Sequence, residues 1–367
     1  FNLSSQSMAH HRTTYAEIDL SAFRHNVQTI RSLVGDSVKV MAVIKADGYG
    51  HGAIPCARAA LQAGADTLGV GILEEGIELR ENGIQAPVLV LSGTFPEEIP
   101  DLLHHDLSTT LCTDAMAQAV SRQAAQSGVT ARVHIKIDTG MGRLGLRPEE
   151  FVAFAKRIQG LKNLQIEGVA THFSSADEED PEYTQLQLTR FRDVLGELKK
   201  EGITVPLVHC ANSAALIRFP ESWCDLVRPG IILYGALPSP GYRPFVDRLP
   251  QTREGRGFLP VMHWKTRILQ LSTVPPRSAL SYGQQFVTRR TSRIATLPIG
   301  YADGLHRRLS NRMQVLVRGT RVPQVGRICM DLTLIDVTDL PAVEVGDEVV
   351  LFGRQGEALL LPDELAQ

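Results

Sequence analysis

Eight short runs of mostly apolar, β-branched residues recur through the first two-thirds of the chain, with helix-patterned segments between them. They occupy residues 38–44, 67–71, 87–91, 107–111, 132–137, 166–171, 206–209 and 226–233. Strands that alternate with helices imply a parallel sheet covered by those helices. The intervening segments fit that cover. In 21–34, Phe23, Val27, Ile30 and Val34 share one helical face behind Asp19 or Ser21 as cap. Residues 53–63 stop at Gly64, and 114–126, 149–158 and 183–200 are further amphipathic segments. Strand and helix alternating eight times predict an α/β chain with a TIM-like (β/α)8 barrel, whose functional groups gather at the C-terminal ends of the strands.

The pattern changes near residue 240. Pro238-Ser239-Pro240-Gly241 opens a Pro-, Gly- and Arg-rich stretch to about residue 256, which reads as a linker. Beyond it, 261–271, 294–297, 314–317, 332–337 and 348–352 are strand-like runs separated by turn residues, with no long helix. The domain reading is therefore a disordered or tag-derived N-terminus over 1–11, a barrel over 12–240 and a mostly-β domain over 241–367. Residues 1–7 read as a cloning remnant, with Met8 as the natural start, and the N-terminus lacks a charged-then-apolar secretion signal.

Composition narrows the function classes. Thirty-eight Lys and Arg against forty Asp and Glu give a net charge of −2, without the basic face that nucleic-acid or membrane-surface binding needs. No apolar run approaches the roughly 18–20 residues of a membrane span. Five irregularly spaced cysteines without a CxxC pair make neither a disulfide framework nor a zinc site. No metal is expected, and the reducing cytoplasm is the expected location.

The barrel's strand ends carry the candidate chemistry. Lys45 closes the first run, where burying a charge is costly. It is either a lysine that reaches solvent just past the strand or a Schiff-base lysine. The following residues 46–52 interleave three glycines with Tyr49 and His51, which favours a tight loop around a ligand. The other strand ends hold Lys136 to Arg143, Thr171-His172-Phe173, His209-Cys210-Ala211-Asn212-Ser213 and Arg228-Pro229-Gly230. Taken singly, several have ordinary explanations. Arg228 fits an ion pair, His172 a core histidine, Ser213 a helix cap and Gly230 a turn.

Taken together they resemble one family. Val43-Ile44-Lys45-Ala46-Asp47-Gly48-Tyr49-Gly50-His51-Gly52 is similar to the pyridoxal-phosphate attachment motif of the alanine racemases. Six further motifs follow in the family's order. They are the run 138–145 (Asp138-Thr139-Gly140-Met141-Gly142-Arg143-Leu144-Gly145), the run 209–213, Arg228-Pro229-Gly230-Ile231 and Ser281-Tyr282-Gly283. The last two are Pro298-Ile299-Gly300-Tyr301-Ala302-Asp303-Gly304 and Gly326-Arg327-Ile328-Cys329-Met330-Asp331.

The resemblance implies a pyridoxal 5'-phosphate enzyme that interconverts L- and D-alanine by two bases and supplies D-alanine for peptidoglycan. It makes Lys45 the cofactor's attachment lysine and the base for the D-alanine face. Tyr282 is implied as the base for the L-alanine face, supported by His172. Tyr49, Ser213, Gly230 and Ile231 would hold the phosphate. Arg228 would face the pyridine nitrogen, and as a donor-only group would leave that nitrogen unprotonated. Arg143 would reach the cofactor's phenolic oxygen and the substrate carboxylate, where Met330 adds a backbone contact. Lys136 is the position that carbon dioxide can carboxylate, and Asp177 with Tyr301 would line the access channel. Asp47, His51, Asn212 and Cys329 belong to the motifs with structural roles equally open. The implied partner is a second copy, in a homodimer with shared sites, and the implied substrate a small amino acid.

The family pattern also continues past the equivalent of Gln367 with a further tyrosine; this chain has no tyrosine after Tyr301, so such a segment is expected beyond Gln367. Rival readings are a broad-specificity racemase, a pyridoxal-phosphate homeostasis protein on the same barrel, and a decarboxylase of related fold. The homeostasis proteins lack a second domain, and the decarboxylase places a carboxylate where Arg228 stands.

Overall fold

The computed structural model describes residues 12–249 and 257–366. The expectations for 1–11, and for the linker over 250–256, lie outside the described residues. The chain divides into two compact units, Leu20–Val261 and Phe1–Asp19 with Met262–Gln367.

The first strand, β1 (Tyr15–Ile18), belongs to the second unit. The unit Leu20–Val261 contains the eight parallel strands that the apolar runs predict. They are β2 (Lys39–Val43), β3 (Thr67–Val70), β4 (Val88–Val90), β5 (Ser108–Leu111), β6 (Ala131–Lys136), β7 (Leu164–Ala170), β8 (Leu207–His209) and β9 (Leu226–Val227). Their order runs β8-β7-β6-β5-β4-β3-β2-β9, and each ladder is parallel. The ring closes between β8 and β9, where Asp225 N donates to Val208 O (3.0 Å) and Val208 N donates to an Asp225 carboxylate oxygen (2.8 Å). The fold is a TIM-like barrel.

Helices cover it because their apolar faces repeat at helical spacing. Leu20–Val34 buries Phe23, Val27, Ile30 and Val34, and Glu182–Lys200 buries Leu188, Phe191, Val194 and Leu198. Asp114–Ser127 begins where the Thr113 side chain accepts from Met116 N and ends at Gly128 in a left-handed conformation.

Three differences from the sequence reading have local causes. The run 226–233 is a strand only at Leu226–Val227, because Pro229 cannot donate to a ladder; residues Ile231–Tyr234 then form a 3-10 turn. The helices Leu73–Glu81, Ile99–His104 and Ser213–Arg218 are too short to show a clear period in sequence. The stretch after Pro238 is also more than a linker. Tyr242 is buried, its hydroxyl bonds Ala176 O, and the Asn26 side chain receives Leu259 N (2.7 Å) while donating to Leu259 O (2.8 Å). These bonds keep residues up to Val261 with the barrel.

The second unit is antiparallel. Its further strands are β10 (Met262–Arg267), β11 (Gln270–Val274), β12 (Ala279–Leu280), β13 (Phe286–Val287), β14 (Ser292–Leu297), β15 (Gln314–Val317), β16 (Thr320–Val325), β17 (Thr333–Asp336), β18 (Glu348–Gln355) and β19 (Ala358–Leu360). The main sheet runs β1-β10-β18-β15-β16-β17-β14-β11, with β19 on β18; β12 and β13 form a separate hairpin. The run 261–271 is thus two strands. Residues 15–18, read above as part of the barrel, pair instead with Met262–Lys265. The core here includes Leu297, Ile299, Val315, Val317, Ile335 and Leu351.

Phe191 is fully buried on the helix Glu182–Lys200. Phe191→Ala leaves a cavity and is expected to lower unfolding stability by about 3–5 kcal/mol. The check is the urea midpoint of the barrel transition; a change below about 1 kcal/mol would contradict this packing.

Candidate active site

The C-terminal ends of the barrel strands surround a cavity of about 630 Å³. Ten of the residues singled out from sequence line it: Lys45, Tyr49, Lys136, Arg143, His172, Asp177, Ser213, Arg228, Gly230 and Ile231. Tyr282, Tyr301 and Met330 lie in the antiparallel unit and are exposed.

The Lys45 loop is held in an unusual shape. Ala46, Asp47, Gly48 and Tyr49 all have φ between 51 and 60°. Such a left-handed run costs energy at each non-glycine residue and persists only where its surroundings fix it. Here carboxylates fix it. Glu75 accepts from Ala46 N and Gly71 N (both 2.6 Å), and Asp47 accepts from Ala53 N (2.7 Å). Lys45 therefore leaves its strand at a sharp turn, and Tyr49 is turned toward Gly230. A Cβ on Gly230 would lie only 2.6 Å from the Tyr49 hydroxyl, so a side chain there would fill the space beside it. Gly230 N donates to Ser213 Oγ (2.9 Å), and burial pushes the Tyr49 phenol upward, keeping it protonated. Hydroxyls and backbone N–H groups thus meet in one small cradle.

A second loop presents Arg143. One carboxylate organises it: Asp138 accepts from Gly140 N, Met141 N and Gly142 N at 2.8–3.0 Å, and from Arg143 N at 3.1 Å. Burial opposes its ionisation, but these four N–H groups outweigh that and hold it below the usual carboxylate range. Lys136, at the end of β6, is pushed down to about 8, first by burial and then by the charges of Arg228 and Arg143.

Arg228 is buried, and its partners are neutral. Its Nη1 lies 2.5 Å from His209 Nδ1; its Nη2 donates to Thr171 O (2.8 Å) and Cys210 O (3.2 Å) and lies 3.3 Å from His172 Nδ1. Among the described residues it has no carboxylate partner, and burial lowers it to about 10, still charged at neutral pH. Guanidinium is a donor only, so it fixes the histidine tautomers. His209 must accept through Nδ1 and carry its proton on Nε2, which lies 2.8 Å from His134 Nδ1. His134 then donates from Nε2 to Glu167 (3.2 Å), which also accepts from Ser108 (2.8 Å). The result is a directional chain from Arg228 through two imidazoles to a carboxylate. Gly168 makes room for it, since a Cβ there would lie 2.3 Å from His134 Nδ1. Sequence reasoning missed His134 and Glu167. Their signal was partial: His134 sits between Val133 and Ile135, and Glu167 follows Ile166 in a run that is otherwise apolar up to Thr171.

Four cationic side chains line the cavity (Lys45, Lys136, Arg143 and Arg228), against one acidic residue, Asp177. Burial, followed by the charges of Arg228, Lys136, Arg143 and Lys45, drives His172 well below its ordinary range, so it is neutral. With Nδ1 toward Arg228, its Nε2–H is a donor. A cavity of this charge suits a ligand with two or more anionic groups.

In the antiparallel unit, hydrogen bonds tie three motif loops together. Tyr282 sits on a turn between β12 and β13, where Ser281 Oγ donates to Arg327 O (2.6 Å). Tyr301 N donates to Cys329 O and Ala302 N to Met330 O, both at 3.0 Å. Tyr282, Tyr301 and Met330 are thus presented from neighbouring loops.

Burial also drives His209 well below 6.5, its ordinary value. In the unfolded chain it protonates as pH falls through about 6.5, while the folded chain resists, so stability is lost on acidification. Unfolding stability is expected to fall between about pH 6.5 and 5.5 by up to about 1.4 kcal/mol per pH unit for each such histidine. His209→Asn should flatten that slope by one histidine's share. Equal slopes for the two proteins would mean that His209 takes up a proton in the fold.

The chain matches two family descriptions: alanine racemase N-terminal domain over residues 18–238 and alanine racemase C-terminal domain over residues 261–367. It is 48% identical to the alanine racemase of Halothermothrix orenii, over 97% of this chain and 91% of that protein. The alanine racemase of Desulfovibrio desulfuricans is 46% identical over 93% of this chain and 90% of its own length. The crystal structure of alanine racemase from Bacillus anthracis with bound L-Ala-P superposes with a TM-score of 0.86 at 38% identity, over 97% of this chain and 89% of that one. Among the described residues no helix is long and apolar enough to cross a membrane. With both of its units matched and the relatives covered nearly end to end, the chain belongs to the alanine racemase family.

Proposed function

We propose that this protein interconverts L- and D-alanine with pyridoxal 5'-phosphate seated in the barrel cavity, as a cytoplasmic homodimer that supplies D-alanine for peptidoglycan. The observation that carries the reading is the charge and donor pattern of that cavity. Family membership supports the same cofactor and reaction.

The residues fit the group. A phosphate suits the cradle of Tyr49 Oη, Ser213 Oγ and the backbone at Gly230 and Ile231, which offers donors and no carboxylate. Lys45 stands on its fixed turn as the amine for the cofactor's aldehyde. When bound, the cofactor supplies an electron-withdrawing ring that acidifies the substrate's Cα–H bond.

Lys45 Nζ then takes or returns the Cα proton on the D-alanine face, and Tyr282 Oη does so on the L-alanine face. A phenol needs help to act as a base near neutral pH. The Nε2–H of neutral His172, oriented by Arg228, is a donor suited to the phenolate of Tyr282. Arg228 would face the ring nitrogen as a donor-only cation, and would leave that nitrogen unprotonated and limit charge withdrawal from Cα. Arg228 in that place would favour return of a proton to Cα over decarboxylation or transamination. Arg143 and the Met330 backbone bind the substrate carboxylate, and Asp177 and Tyr301 line the access channel. Lys136, brought down to about 8, has a neutral-amine fraction that carbon dioxide can carboxylate, and the carbamate would pair with Arg143.

Lys45→Ala is expected to remove the cofactor's long-wavelength absorbance and lower racemisation by at least roughly 10²-fold. Substantial activity without added amine would overturn the assignment. Subunit mixing tests the shared site. In the proposed dimer, Tyr282 and Met330 of one protomer serve the other's barrel, the two sites being related by a two-fold axis. Lys45→Ala and Tyr282→Phe homodimers should each be nearly inactive. Co-refolded heterodimers carry one site lacking both groups and one intact, so activity should return to as much as half the normal site count. Heterodimers that form without recovery would place both bases on one chain.

A further inference from the structure

Outside the proposed chemistry, two thiols stand together beneath Arg228. Cys210 lies just past β8 and is buried, and Cys224 lies just before β9 and is exposed. Their Sγ atoms are 3.9 Å apart across a sequence separation of 14, within reach of one thiol donating to the other. The Asp225 N to Val208 O bond holds the two backbone segments side by side.

We propose that Cys210 and Cys224 are an oxidisable pair, which hydroperoxides close to an intrachain disulfide, and that closure disturbs the seat of Arg228.

The pair divides the labour that such a reaction needs. Cys224 is the exposed residue of the two. The S–H of Cys210, shared between Ser222 O and Cys224 Sγ, favours its thiolate, and the charges of Arg192 and Arg228 add to this against burial and Asp225. Cys210 is shifted well upward, first by that same hydrogen bond and then by burial, and waits as a thiol behind it. The Cys224 thiolate attacks the peroxide, the O–O bond breaks, and the alcohol leaves with a proton while Cys224 becomes a sulfenic acid. The Cys210 sulfur then attacks Cys224 Sγ. The S–S bond forms, the S–O bond breaks, and the departing hydroxide takes the Cys210 proton as water. Two thiols lose two electrons, and one hydroperoxide becomes an alcohol and a water.

Closure is not silent in the structure. A disulfide needs about 2.05 Å between sulfurs, so they must approach by about 2 Å. Cys210 Sγ must also give up its bond to Ser222 O (3.0 Å). Three of the contacts that seat Arg228 fall on residues 209, 210 and 211. His209 Nδ1 and Cys210 O meet the guanidinium, and Ala211 O accepts from Arg228 N (2.9 Å). His209 also anchors the chain to His134. Pulling Cys210 toward Cys224 therefore moves three consecutive anchors of one side chain. The coupling to activity rests on the racemase reading; the thiol chemistry does not.

The experiment treats the 367-residue chain with cumene hydroperoxide. Thiols are titrated after denaturation, linked peptides are mapped without reductant, and alanine racemisation is measured before and after dithiothreitol. The expected result is five titratable thiols falling to three, with a Cys210–Cys224 linked peptide. Racemisation should fall roughly tenfold or more, as small displacements of positioning groups do, and recover on reduction. Cys224→Ser, at an exposed position outside the cavity, should keep the basal rate and lose the thiol response. A protein that keeps five thiols, or links other cysteines, overturns the pair. A disulfide that forms with racemisation unchanged overturns the coupling to Arg228. If the reduced protein does not racemise alanine, the functional reading fails while the thiol count still decides the pair.

Discussion

Arg228 is a buried cation without a carboxylate, and the barrel end is arranged around that fact. A charge in this position is tolerable only if its buried donors are met, as those of Nη1 and Nη2 are here. Two carbonyls and two imidazole nitrogens receive them, contributed by the ends of β7 and β8 and the segments after them. Because guanidinium cannot accept, each imidazole is left with one allowed tautomer. The chain His209–His134–Glu167 then compensates the charge at a distance, with Glu167 held ionised first by the hydrogen bond from His134. A carboxylate placed directly on Arg228 would neutralise it in place. The relay instead leaves the cation free to face the cavity.

The same economy of direct contacts appears on the opposite side. Lys45 and Tyr49 stand on a left-handed run that no isolated peptide would adopt, fixed by Glu75 and Asp47. Asp138 performs the corresponding task for Arg143. Glu75, Asp47 and Asp138 therefore work as acceptors for backbone N–H groups behind the cavity, while the cavity itself is mainly cationic. That separation leaves one small space suited to an anionic ligand while its imidazoles stay neutral.

Much of this was legible in the residues. Strands buried on both faces write continuous apolar runs, so 38–44 and 67–71 announced β2 and β3 within a residue or two. A lysine and an arginine closing such runs stood out because strand ends are where a barrel presents chemistry. Other features were hidden by distance. Nothing local marks Tyr15–Ile18 as partner of a strand some 250 residues away; its apolar pattern is that of any short edge strand. The run 226–233 misled because Pro229 ends the ladder while its neighbours stay apolar. His134 and Glu167 were readable as polar interruptions, but only their pairing across β6 and β7 gives the interruption meaning. The roles of Tyr282 and Met330 came from resemblance, since their exposure on turns of the antiparallel unit carries no chemistry by itself.

The central claim is that the barrel presents a donor-only cation to the cofactor ring. The most direct test is the nitrogen-15 chemical shift of ring-labelled pyridoxal phosphate bound to the protein at neutral pH. The account requires the shift of an unprotonated pyridine that accepts a hydrogen bond, and the same shift across the range in which Arg228 stays charged. The shift of a protonated pyridinium would contradict it, because no group described around Arg228 could share that proton.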